Sequence, residues 1–189
     1  MKQLCTLRLF SIALPAWCAR SVTDELGRVV VVPDQPHRLI CLMPSVADDV
    51  YALGAGTDVV AVTDDTKYPA EARTKPSVGS IVSPSMETIV SLHPDLVLES
   101  GELSRPETVE TLQRMGIAVF VNAPHGVEGI YRSITSLGRA LNREESARAL
   151  VHSLRRREAA VRHQVADTDE EEEILAEAGE QDQFSGDDE

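Results

Sequence analysis

Four short apolar runs recur along this chain, each followed by a stretch with helical spacing, and few folds accommodate that order. The runs are Leu39 to Met43, Val59 to Thr63, Leu96 to Leu98 and Ile117 to Val121. They are nearly continuous rather than alternating, as strands buried on both faces must be. The first leads through Pro44–Ser45 into a predicted helix over 45–53, with Ser45 as its cap and Gly54 as its stop. Ser83–Pro84 opens a second predicted helix with proline at its first position, ending at His93–Pro94. Ser104–Arg105–Pro106–Glu107 opens a third, which stops at Gly116. Strands alternating with helices at this spacing predict an α/β fold: a parallel sheet with helices on both faces.

The flanks differ in character. Arg28 to Val32 is β-branched and closed by Pro33 and Pro36, so it reads as an edge strand or hairpin arm. Gly126 to Leu141 is helical. Asn142 with Glu145 then caps a long helix expected over 143–166, with Leu150, Val151, Leu154 and Val161 among its apolar positions. From Asp167 to Glu189 the chain holds 12 acidic residues and no Lys or Arg. That segment reads as an acidic tail, disordered or at best transiently helical around Glu170 to Ala178, because low hydrophobicity and one charge sign cannot support a core. The formal charge of −13 belongs to this tail, leaving the body near neutral. No basic patch with interleaved aromatics exists, which argues against nucleic-acid binding.

Residues 1–19 read as an export signal. Lys2 and Arg8 supply the positive end, and Leu9 to Ala19 is apolar but too short to span a bilayer core of about 30 Å. The expected location is therefore extracytoplasmic. Of the three cysteines, only Cys41 lies outside the leader, and its apolar surroundings suit a core residue better than a nucleophile. No nucleophile elbow, phosphate loop, paired-carboxylate motif or metal-type Cys/His spacing stands out, so the chain is not read as an enzyme.

The order of several short motifs resembles the class III periplasmic substrate-binding proteins of ABC importers, which bind cobalamin, ferric siderophores and haem. The resemblance covers about 23–166. It begins with Asp24, Gly27–Arg28 and Pro33, and runs through His37–Arg38–Leu39–Ile40, Pro44–Ser45 and Ala52–Leu53–Gly54. It continues with Tyr68–Pro69, Val78–Gly79, Pro84 to Ile89, Leu92 to Val97, Leu112 and Gly116–Ile117. The resemblance implies two α/β lobes joined by a rigid helix, with ligand between them. Residues 20–142 would then be the amino-terminal lobe and 143–166 the backbone helix. The family's second lobe has no counterpart here, so a truncated form with weak or absent ligand binding is expected. The alternative is a one-lobe interaction protein that docks on a permease or self-associates.

Ligands of open parallel sheets bind beyond the carboxyl ends of the strands. That rule selects the loops carrying Pro44, Ser45, Asp65, Lys67, Ile81, Ser100 and His125 as ligand-binding candidates. Relatives place aromatic side chains on several of these loops. The matching positions here, Asp65, Ile81 and Ser100, are not aromatic, which favours a polar metal chelate over a flat macrocycle, with a corrinoid as the other option. No resident cofactor is implied. The resemblance also assigns Glu87 to docking on the membrane permease through an ion pair; its other reading is a helix-start carboxylate that stabilises its own helix. His93 fits a helix-end role better than a metal ligand.

Overall fold

The computed structural model describes residues 19–101 and 105–184. The central sheet has four parallel strands: β3 (Leu39–Cys41), β4 (Val59–Val62), β7 (Leu96–Ser100) and β8 (Val119–Asn122), in the order β4-β3-β7-β8. These are the four apolar runs of the sequence. One face of the sheet buries Leu39, Cys41, Leu96, Leu98 and Phe120 against helices α1 (Pro44–Ala52) and α4 (Gly126–Ala140). The other buries Ile40, Ala61, Val97, Val119 and Val121 against α2 (Met86–Ser91) and α3 (Pro106–Arg114). Both faces are covered, as continuous apolar strands require.

Two small hairpins complete the lobe. In the first, β1 (Ala19–Thr23) pairs antiparallel with β2 (Val29–Pro33). Val30 and Val32 are buried while Val29 and Val31 face solvent, the alternation of a half-covered strand. Asp24 shapes its turn: the buried carboxylate accepts from the N–H groups of Leu26 and Arg28 and pairs with the Arg28 guanidinium. Gly27, at φ +76, takes the left-handed position that such a turn demands. In the second hairpin, β5 (Gly79–Ser80) pairs with β6 (Ser83–Pro84).

That second hairpin corrects the expected start of α2. Ser83–Pro84 is spent on strand pairing, so the helix begins at Met86 with Ser85 as its cap. Thr88 donates its N–H to Ser85 Oγ at 3.2 Å. Ser85→Ala should therefore cost about 1 kcal/mol in urea unfolding; a change indistinguishable from zero would remove the cap from the account. Ser45 is likewise not a cap. Helix α1 starts one residue earlier, with Pro44 in its first turn and Met43 at the N-cap position without a side-chain bond.

The last helix, α5, spans Glu144–Phe184. The expected end at Ala166 is thus too early, and most of the segment read as a disordered tail is helical in its backbone. The cause is compositional: Glu, Ala and Gln, which dominate 170–183, are strong helix formers even without a buried face. At 1.5 Å per residue the rod is about 60 Å long. Leu150, Val151 and Leu154 pack on the lobe, whereas Val161 and Val165 are exposed. Asn142 takes a left-handed conformation, φ 56, in the turn between α4 and α5. The expected export signal over 1–19 lies outside the described residues except for Ala19, which starts β1.

Candidate ligand-binding face at the strand ends

The strand order sets the place of the site. From β3 the chain steps outward to β4, then crosses back to β7 and β8 on the other side. The connections leaving β3 and β7 therefore part in opposite directions and leave a crevice at their carboxyl ends. Ser45, just after β3, and Ser100, at the end of β7, lie on that crevice. A cavity of about 320 Å³ occupies it, reaching to Asp48, Asp49, Asn122 and Ser133.

The polar groups of this cavity are unusual. Asn122 is 3% exposed and Ser133 is 1% exposed. Both amide atoms of Asn122, the Ser133 hydroxyl and Asp48 Oδ1 are buried without a hydrogen-bond partner among the described residues. Each such group costs about 1–3 kcal/mol if it stays unsatisfied. Asp49 has its carboxyl pushed up to about 6, first by burial, then by the neighbouring charges of Asp48 and Glu25. Asp48 is raised too, by burial. The cavity is therefore rich in acceptors and carries negative charge above about pH 6.

The other predicted residues sit at the same end of the sheet but do not converge on this cavity. Pro44 fixes the first turn of α1. Asp65 accepts the Ile81 N–H at 3.2 Å, and Lys67 donates to the Asp64 carbonyl at 2.6 Å, so both help to hold their own loops. Lys67 also borders a depression of about 200 Å³ at the end of β4, beside Arg73 and Lys75. His125 is the N-cap residue of α4 and has Nδ1 2.9 Å from the Ala123 carbonyl oxygen. It lines a wider cleft of about 660 Å³ between α4 and α5, with Tyr131, Arg132, Arg139 and Arg155. Across that cleft Tyr131 donates to Glu158 at 2.6 Å, and the Arg155 guanidinium lies 5.1 Å from the Tyr131 ring centroid.

Three features are not singled out by the sequence, although Tyr68 and Asn122 lie on loops that the strand-end rule selects. Tyr68, on the loop after β4, is 70% exposed and offers a flat apolar face beside the candidate loops. Asn122 and Ser133 read as ordinary polar residues until α4 folds over the strand ends. Glu99, on β7, is 5% exposed, and burial pushes its carboxyl up to about 7 despite the bond it accepts from the Ser100 N–H. Cys41 is buried and its thiol is pushed up to about 12 by that burial, consistent with a core role. Glu87 stands exposed in the first turn of α2, away from the cavity. His93 adopts φ 46 where the chain leaves α2, and its carbonyl accepts from Arg38. Among the described residues no cluster of three or more His, Cys, Asp or Glu is placed to hold a metal ion. Nor is any described helix long and apolar enough to cross a membrane.

The lobe is thus a four-stranded parallel sheet with a cavity at its carboxyl edge and a long helix leaving it. Residues 39–184 match the family described as periplasmic binding protein, and the chain belongs to that family. It is 34% identical over 138 residues to the uncharacterized ABC transporter substrate-binding lipoprotein YvrC of Bacillus subtilis, covering 71% of this chain and 44% of that protein. It is 32% identical over 157 residues to a cobalamin-binding protein of Halobacterium salinarum, covering 80% of this chain and 42% of the relative. The periplasmic vitamin B12 binding protein BtuF of Vibrio cholerae superposes with a TM-score of 0.64 at 26% identity, over 69% of this chain and 51% of that one. A periplasmic solute binding protein of Veillonella parvula superposes at 0.69, over 77% and 48%, and at 24% identity it speaks for the fold alone. The chain spans about half the length of the relatives it matches.

Proposed function

We propose that this chain forms one ligand-holding lobe of an extracytoplasmic solute-binding protein that delivers a metal chelate or corrinoid to an ABC permease. The observation that carries the reading is the acceptor-rich cavity at the topological switch point, on a chain of the periplasmic binding protein family whose relatives are named an ABC transporter substrate-binding lipoprotein and a cobalamin-binding protein. The function is capture rather than catalysis. Ligand would rest on the loops after β3, β4, β7 and β8, with Tyr68 as the available stacking surface. Glu87, exposed on α2, is proposed to dock on the permease, where a rim carboxylate steers encounter and register more than it adds affinity.

The test is calorimetric titration of cyanocobalamin, haem and a ferric siderophore into the purified chain. One of the three is expected to bind weakly but saturably, and Tyr68→Ala is expected to weaken that binding about tenfold, some 1.4 kcal/mol. Silence from all three would sink the ligand-binding reading.

A further inference from the structure

The same cavity carries a narrower assignment, which deepens the proposed function and rests on it. We infer that the chamber beneath α1 and α4 is a subsite for a primary alkylammonium group, and that the natural solute carries such an arm.

Four observations lead there. First, the unpartnered groups are mostly acceptors: Asp48 Oδ1, Asn122 Oδ1 and Ser133 Oγ, with the Asp49 carboxylate beside them. A protonated primary amine brings three donors on one compact atom. Second, two neutral polar side chains join the acidic pair. Asn122 and Ser133 are more than nine-tenths buried, line the chamber and have no protein partner for the atoms named. Third, among the described residues no Lys, Arg or His lines the chamber, and Asp48 and Asp49 share it with neutral side chains. Glu25, in the turn between β1 and β2 and outside the chamber lining, adds to the negative field on Asp49. Fourth, Val46, Pro124 and Ile130 complete the wall with apolar surface. Such a wall suits methylene groups and gives nothing to a bare metal ion, for which calcium, as the example, wants six to eight oxygens. The volume of about 320 Å³ corresponds to roughly ten water-sized groups, enough for a short alkyl chain with its terminal nitrogen.

The experiment uses the purified chain and n-pentylamine as the probe, with n-pentanol and pentanoate as neutral and anionic analogues. Binding is read by calorimetry and by the carboxyl carbon resonance of Asp49. Pentylammonium is expected to bind saturably and to shift the Asp49 resonance, while pentanol and pentanoate do neither. Asp49→Asn should weaken uptake about tenfold, and Ser133→Ala, which leaves the charge unchanged, should weaken it less. Uptake should also fade as pH drops through about 6, where Asp49 takes up its proton. Equal binding of pentanol and pentylamine, or amine binding untouched by Asp49→Asn, would overturn the assignment. So would a chamber that holds water only, seen as no response to any probe. If a chelate or corrinoid binds while pentylammonium does not, the amine subsite falls and the broader transport reading stands. If pentylammonium binds and no chelate or corrinoid does, the subsite stands and the chelate reading falls.

Discussion

Replacing Glu99 by glutamine is expected to stabilise the chain by about 3 kcal/mol at about pH 8 and to change it little at about pH 4. The carboxyl sits on the α2/α3 face of β7, alternating with Val97 and paired in register with Val121. Burial is the main cause of its rise from the ordinary 4.5 to about 7. The folded chain therefore holds this proton more tightly than the unfolded chain does. Its favourable contribution is complete below about 4.5 and is lost progressively as pH rises through 7. Glutamine keeps the shape and removes the charge, so the variant should escape the loss. The measurement is urea unfolding of both proteins across that range. Parallel stability curves for the two would show that Glu99 is solvated better than its 5% exposure implies. Asp49 has the same sign of shift over a lower window, from 3.8 to about 6. Glu99→Gln should thus flatten the upper part of the curve and leave the lower part in place.

The elements that sequence reading located are those whose burial is local. Apolar runs such as Ile117 to Val121 announce a strand covered on both faces wherever the chain later goes. Gly54 and Gly116 likewise mark the ends of α1 and α3 through the local left-handed backbone that they adopt. The misplacements came where a residue's use depends on a distant partner. Ser83–Pro84 looks like a helix start until Gly79–Ser80 pairs with it. Ser45 looks like a cap because Pro44, the true first-turn residue, precedes it. Glu170 and its neighbours look at best transiently helical because a sequence with no apolar stripe leaves no periodic signal.

The site was legible to the same degree. The carboxyl-end rule selects Ser45 and Ser100 from strand positions alone, and both line the cavity. It cannot select Ser133, which arrives from α4, nor foresee that Asn122 would be left without a partner. It also cannot rank loops, so Asp65, Lys67, Ile81 and His125 were gathered with residues whose surroundings prove different. The relatives' aromatic position on the loop of Tyr68 corresponds to Asp65, which is not aromatic. An exposed aromatic three residues along the same loop can serve a similar surface.

The bearing of α5 depends on one close approach, and Gly138→Val is expected to cost about 3 kcal/mol by forcing the two last helices apart. A Cβ added at Gly138 would lie 2.4 Å from the Cβ of Ala147 and 3.2 Å from the Arg143 carbonyl oxygen. Neither neighbour can yield easily. Ala147 is fully buried, and the Arg143 carbonyl already accepts the Ala147 N–H at 2.9 Å in the first turn of α5. The chain closes this corner tightly, with Arg143 donating to the Gly138 carbonyl at 2.7 Å. Beyond it, Leu150, Val151 and Leu154, with the Tyr131–Glu158 hydrogen bond, hold the early turns of the rod to the lobe. A splay at Ala147 is therefore carried along the rest of a helix about 60 Å long. Adding Ala147→Gly to Gly138→Val removes the nearest obstruction while leaving the Arg143 carbonyl in place. The pair should recover at least about 1 kcal/mol beyond additivity in urea unfolding, the coupling of residues in direct contact. Additive losses, or a Gly138→Val protein as stable as the original, would mean that α5 is held elsewhere and that its direction is not set at this corner.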